Sequence, residues 1–119
     1  MRRDNAYLQD IPGAALAIRR FTHEISLEDF KSNEEKYEAV NRKFEIIGEA
    51  ARRFSPEGCN LFPEIPWKRV TAMRNILIHD YDDVDRNMVW ETAQRDLPAL
   101  ISHLEKYLGL NPPPDAGWV

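Results

Sequence analysis

Apolar residues recur at helical spacing through most of the chain, and no stretch alternates as a strand would, so the pattern predicts an all-α protein. A first helix is expected from about Asn5 to Phe21, with Leu8, Ile11, Ala15 and Ile18 on one stripe and a kink or local break at Pro12-Gly13. Ser26 followed by Leu-Glu-Asp predicts a short capped turn that packs Leu27 and Phe30 inward. The clearest amphipathic run carries Val40, Phe44, Ile47, Ala51 and Phe54. Its helix should begin at Ser32 as N-cap, with Glu35 as the capping-box partner, and end near Arg53. Gly48 lies inside it, where glycine costs about 1 kcal/mol relative to alanine. Close approach of another helix would account for that choice.

Two more elements follow. "SPEGCNLFPEIP" reads as a loop, and Pro66 then suits the first turn of a helix from about Trp67 to His79. "DYDDVD" interrupts the pattern, and Asp85 is placed to cap a last helix of about Arg86 to Leu108, bent at Pro98. The expected architecture is an antiparallel four-helix bundle with an additional short helical turn. Residues 1–110 form its single domain, and the proline-rich residues 111–119 form an extended tail.

Charge narrows the function classes. A net charge of −4 argues against a protein that coats nucleic acid non-specifically. The charge is segregated, however: 41–79 holds seven Lys/Arg against four Asp/Glu, whereas 80–96 holds six acids and two arginines. Cys59 is the only cysteine, which excludes an intramolecular disulfide and a cysteine-based zinc site and suits a reducing cytoplasm. The N-terminal run "IPGAALAI" is too short for a signal or a membrane span and is preceded by Asp4 and Asp10, so a cytoplasmic domain with no membrane role is expected.

The candidate chemistry lies in "MRNILIHDYDDVD", Met73 to Asp85. On an ideal helix Arg74 and His79 are roughly 140° apart, so one unbroken face cannot aim both at one substrate. Tyr81, seven residues beyond Arg74, would share the arginine's face. Convergence requires either a helix that loosens near His79 or a site assembled from two copies about a two-fold axis. These residue types suit metal-independent cleavage of an RNA phosphodiester. Histidine titrates in the range needed to deprotonate a 2′-hydroxyl or protonate a leaving 5′-oxygen, and arginine stabilises charge on the non-bridging oxygens. Lys68, Arg69, Arg52 and Arg53 are candidates for flanking phosphates.

Plainer roles compete with each of these. Arg74 and His79 could cap carbonyls at a helix end, and Tyr81 could simply pack there. His79, Asp80, Asp82, Asp83 and Asp85 cluster as metal ligands would, but lack the glycine and late bidentate acid of a calcium loop, so no metal is expected. His23 and His103 read as surface residues, Cys59 has no adjacent base, and Phe44, Phe54, Trp67 and Trp90 read as core and interface.

"RNILIHDY" resembles the Arg-x4-His-x-Tyr motif of HepT-type toxins in the HEPN superfamily. "YEAVNRKFEIIGEA", "PEIPWKRVTAMRNILIHDY" and "VWETAQRDLPAL" resemble that family's second, motif and last helices. The resemblance implies a homodimer with composite sites at its interface and a metal-independent ribonuclease, without cofactor, that cuts tRNA or mRNA and arrests growth. It assigns Arg74 and His79 as catalytic and Asn75 as the supporting polar neighbour. It also implies a minimal nucleotidyltransferase antitoxin, MntA-like, that silences the toxin by adenylylating Tyr81. Two other classes stay open: a catalytically inactive HEPN binding module partnering a nucleotidyltransferase, and a helical interaction domain with no nucleic-acid role.

Overall fold

The computed structural model describes residues 2–79 and 84–110, and every regular element among them is helical. In chain order these are α1 (Arg2–Thr22), α2 (Leu27–Ser32), α3 (Glu34–Arg53), α4 (Pro56–Asn60), α5 (Trp67–His79) and α6 (Arg86–Glu91), then a π-helical segment (Thr92–Asp96) and α7 (Leu97–Leu110). The all-α helical bundle expected from periodicity is what forms. α3 is its central element, packed along α1 on one side and α5 on the other, while the π segment and α7 close against α1. Val40, Phe44, Ile47, Ala51 and Phe54 are all buried, joined by Ile11 and Ile18 of α1, Leu77 of α5 and Leu104 of α7.

Several boundaries differ from the sequence reading, each for a local reason. α1 runs through Pro12-Gly13 without a break, and Pro12 is fully buried, so packing outweighs the backbone hydrogen bond that proline forgoes. α3 is capped by Asn33, whose Oδ1 accepts from the Lys36 N–H at 3.0 Å, and not by Ser32. Ser32 is the last residue of α2, and its hydroxyl donates back to Glu28 O at 3.0 Å. The 55–66 connection holds one short helix, α4, because Ser55 Oγ accepts from Gly58 N–H at 2.9 Å and Pro56 suits the first turn. The Ser26 and Asp85 caps form as expected, accepting from Asp29 N–H at 3.1 Å and Asn87 N–H at 2.9 Å.

The final helix is not a single bent α-helix. Before Pro98 it widens into the π segment, where the Leu97 N–H returns five residues to Thr92 O. A proline ring presses on the carbonyl four residues before it, and a widened turn just upstream accommodates that pressure.

An aromatic cluster ties α2, α3 and α6 together. Phe30, fully buried, meets Tyr37 edge-on at 5.8 Å and Trp90 at 5.3 Å between ring centroids. The Arg86 guanidinium lies 4.0 Å over the Tyr37 ring and donates to Lys31 O and Glu34 Oε2, both at 2.7 Å. Arg86 thereby fixes the start of α6. Arg86→Ala should lower stability by about 1–2 kcal/mol, since the cation–π contact and the bond to a backbone carbonyl are lost while the exposed Glu34 pair contributes little. A fall in the urea midpoint with an unchanged slope would register it.

Candidate active site

α3 and α5 run antiparallel. Phe54, at the end of α3, packs on Trp67, at the start of α5, with ring centroids 5.2 Å apart. Trp67 Nε1 also donates to the carbonyls of Cys59 and Phe62, both at 3.1 Å, so the entry of α5 is locked to the α4 connection. One and a half to two turns further along this register, Gly48 meets Arg74. A Cβ on Gly48 would overlap Arg74 Cβ and would lie 3.0 Å from Arg74 Cγ and 3.2 Å from its Cα. The close approach expected from the glycine is therefore to the arginine of the motif. It places Arg74 on the α3 side of α5, with its side chain 23% exposed.

The guanidinium is held at two edges. Nε lies 3.2 Å from Glu49 Oε2, with its N–H not aimed at that oxygen, so the contact is an ion pair without a well-formed hydrogen bond. Nη1 donates to Asn75 Oδ1 at 2.9 Å. The remaining N–H groups are free of these two partners. An arginine fixed in this way is suited to two-pronged contact with a phosphate.

Glu49 gathers more than one arginine. Arg52 donates to it through Nη2 at 2.9 Å and Nε at 3.3 Å, and Arg53 through Nε at 2.7 Å. These bonds, from Arg52 first and then Arg53, hold the Glu49 carboxyl well below the usual carboxylate range, at about 2. A depressed carboxylate adds stability that is complete above its ordinary value near 4.5 and is lost as pH falls toward 2, so Glu49 stays ionised throughout the neutral range. Three arginines around one carboxylate leave a locally positive patch in a chain of net charge −4.

His79 is exposed and is the last residue of α5, where the helix C-terminus favours a cation. α5 is unbroken from Trp67 to His79, so Arg74 and His79 diverge by roughly 140° within one chain. Asn75 and Lys68 share the His79 face by helical spacing, and both are exposed. Arg69 points elsewhere, is 76% exposed and pairs loosely with Asp96 at 3.7 Å. The structure thus brings Arg52 and Arg53 to Arg74, puts Lys68 beside the His79 face, and leaves Arg69 with neither. Tyr81 and residues 111–119 lie outside the described residues, as do Asp80, Asp82 and Asp83. Among the described residues no group of three or more His, Cys, Asp or Glu is placed to hold a metal ion. His23 is exposed, and half-buried His103 lines a groove away from Arg74.

That groove, of about 440 Å³, runs between α3, α5 and α7 and is lined by Phe44, Val70, Met73, Ile76, Leu97 and Leu100 among others. Ile76 and Ile78 are 38% and 40% exposed, large apolar side chains that α5 leaves uncovered. Glu49 is the residue that sequence reasoning missed. Its signal was its spacing from Arg52 and Arg53 and its place beside the flagged Gly48.

A helical bundle presenting a buttressed arginine and an exposed histidine on one helix belongs to a recognisable class, and comparison identifies it. The Ribonuclease HepT-like family model matches residues 11–107. The chain is 42% identical over 105 residues to "Probable ribonuclease HepT" of Thermococcus cleftensis, covering 88% of this chain and 96% of that protein. It is 37% identical over 105 residues to "Putative RNase MJ1380" of Methanocaldococcus jannaschii, covering 87% and 96%. It is 32% identical over 108 residues to "Putative RNase TTE0752" of Caldanaerobacter subterraneus, covering 91% and 96%. The chain belongs to the HepT-like ribonuclease family. No solved structure gives a significant match. Among the described residues, no helix is long and apolar enough to cross a membrane.

Proposed function

We propose that this chain is a metal-independent endoribonuclease that acts as the toxic half of a HepT/MntA-type toxin–antitoxin pair in the cytoplasm, with tRNA or mRNA as substrate. Arg74 stabilises the charge that develops on the phosphate, and His79 moves the proton at the 2′-hydroxyl or the 5′-leaving oxygen. Asn75 supports Arg74 through its bond to Nη1. The observation that carries the reading is the geometry of α5: an arginine buttressed on α3 and an exposed histidine five residues on, with no break between them.

That geometry favours a homodimer over a single-chain site. That α5 stays helical as far as His79 supports the two-copy arrangement, in which Arg74 of one copy and His79 of another face one phosphate. Ile76, uncovered at the edge of the apolar groove, supplies surface for the second copy. The antitoxin is a small nucleotidyltransferase that adenylylates Tyr81. An AMP added there is a bulky anion that would compete with the substrate phosphate and repel RNA.

Unmodified protein and His79→Ala, each incubated with total tRNA and an mRNA in the presence of EDTA, test the reading. Cleavage by the unmodified protein and not by His79→Ala is the expected result. Absence of cleavage by protein shown by intact mass to carry no AMP would transfer the assignment to an inactive binding module.

A further inference from the structure

We infer that Glu49 is a positioning residue for Arg74: its carboxylate, pinned by Arg52 and Arg53 on the same helix, holds the Nε edge of the Arg74 guanidinium against α3 so that the Nη edge faces the substrate phosphate. The inference rests on the ribonuclease reading and deepens it.

The stem of Arg74 is confined by Gly48, so the guanidinium has little lateral freedom at its root. The residue after Gly48 on α3 is Glu49, and its Oε2 lies 3.2 Å from the Nε of that same guanidinium, an ion pair without a well-formed hydrogen bond. Oε1 is taken by Arg52 Nη2 at 2.9 Å and Arg53 Nε at 2.7 Å, and Oε2 also accepts from Arg52 Nε at 3.3 Å, so the carboxylate cannot rotate away without breaking these bonds. Arg74 therefore meets its anchor already oriented. Asn75 Oδ1 accepts from Nη1 at 2.9 Å. A guanidinium pre-oriented before the charged transition state forms reorganises little when that state arrives, and such contacts act mainly on kcat.

A competing role has the opposite signature. If Glu49 merely neutralised the patch, its removal would free three arginines for RNA and strengthen binding without slowing the chemical step. The two roles separate in the KM-against-kcat split.

The test uses the full chain with wild type, Glu49→Gln, Glu49→Ala and Glu49→Asp, each checked for an intact fold by thermal unfolding. Single-turnover and steady-state cleavage are measured on one RNA. The side-chain motion of Arg74 is read from 15N relaxation of its Nε–H, assigned by its loss in Arg74→Lys. Glu49→Gln and Glu49→Ala should lower kcat by about tenfold or more while KM changes less than about threefold. Glu49→Asp, which keeps the charge on a shorter arm, should recover part of the rate. The Arg74 Nε–H should be rigid in wild type and mobile in both neutral variants. An unchanged or raised kcat overturns the inference, as does a fallen kcat with Arg74 as rigid as before. Wild type that cleaves no RNA defeats the ribonuclease reading instead, and the relaxation data still decide whether Glu49 holds Arg74.

Discussion

Arg74→Ala is expected to lower RNA cleavage by about a hundredfold or more, the usual cost of removing a group aimed at developing oxyanion charge. Arg74→Lys should recover little of it. Lysine offers one compact charge on a flexible arm, whereas the site uses a planar group with Nε toward Glu49 and Nη1 toward Asn75, leaving further N–H groups for the phosphate. The larger consequence concerns where the histidine comes from. With α5 unbroken, Arg74→Ala and His79→Ala should each be inactive alone yet complement when mixed, unfolded and refolded together. A heterodimer of the two keeps one intact site, built from the arginine of one copy and the histidine of the other. Statistical exchange of subunits then predicts about a quarter of the wild-type rate. A single-chain site predicts none, because neither variant carries both groups. Recovery of activity in the mixture, measured against each variant refolded alone, decides between them.

The parts of this structure that were legible in the sequence are those written in local chemistry. Pro66 and His79 bracket α5, and Asp85 caps α6, because each signal acts within one turn of its own position. The start of α3 differs from the sequence reading by one residue because Ser32 and Asn33 are both competent caps. The serine hydroxyl is occupied by Glu28 O in the preceding helix, which leaves the role to Asn33. The π segment had no signature in the pattern. A widened turn takes in an extra residue, but the 4-4 spacing of buried Val89, Ala93 and Leu97 that it produces also fits an ordinary α-helical stripe, so periodicity does not tell the two apart. At the site, Arg74 and His79 stood out by residue type and spacing. Glu49 did not, since its pairing with Arg74 depends on the register of two antiparallel helices, which no local pattern encodes. Gly48 was the one trace of that register visible in the sequence.

Gly48 is accordingly where stability and activity should fail together. On an exposed helix, Gly→Ala stabilises by about 1 kcal/mol through propensity alone. Here the added methyl meets Arg74 at Cβ, and the backbone Cα lies 3.2 Å away, so no swing of a flexible side-chain end can relieve the contact. α3 and α5 must move apart. Overpacking of this kind costs about 1–3 kcal/mol, which outweighs the propensity gain, and Gly48→Val should cost more. The separation also carries Arg74 away from Glu49, so cleavage should fall by about tenfold or more even at temperatures where the variant remains folded, since small misplacements of a catalytic group are costly. Urea unfolding monitored alongside single-turnover cleavage checks both effects. If Gly48→Ala proved more stable than wild type and equally active, α3 and α5 would not be in the tight contact that sets Arg74, and the arginine would owe its position to something other than this register.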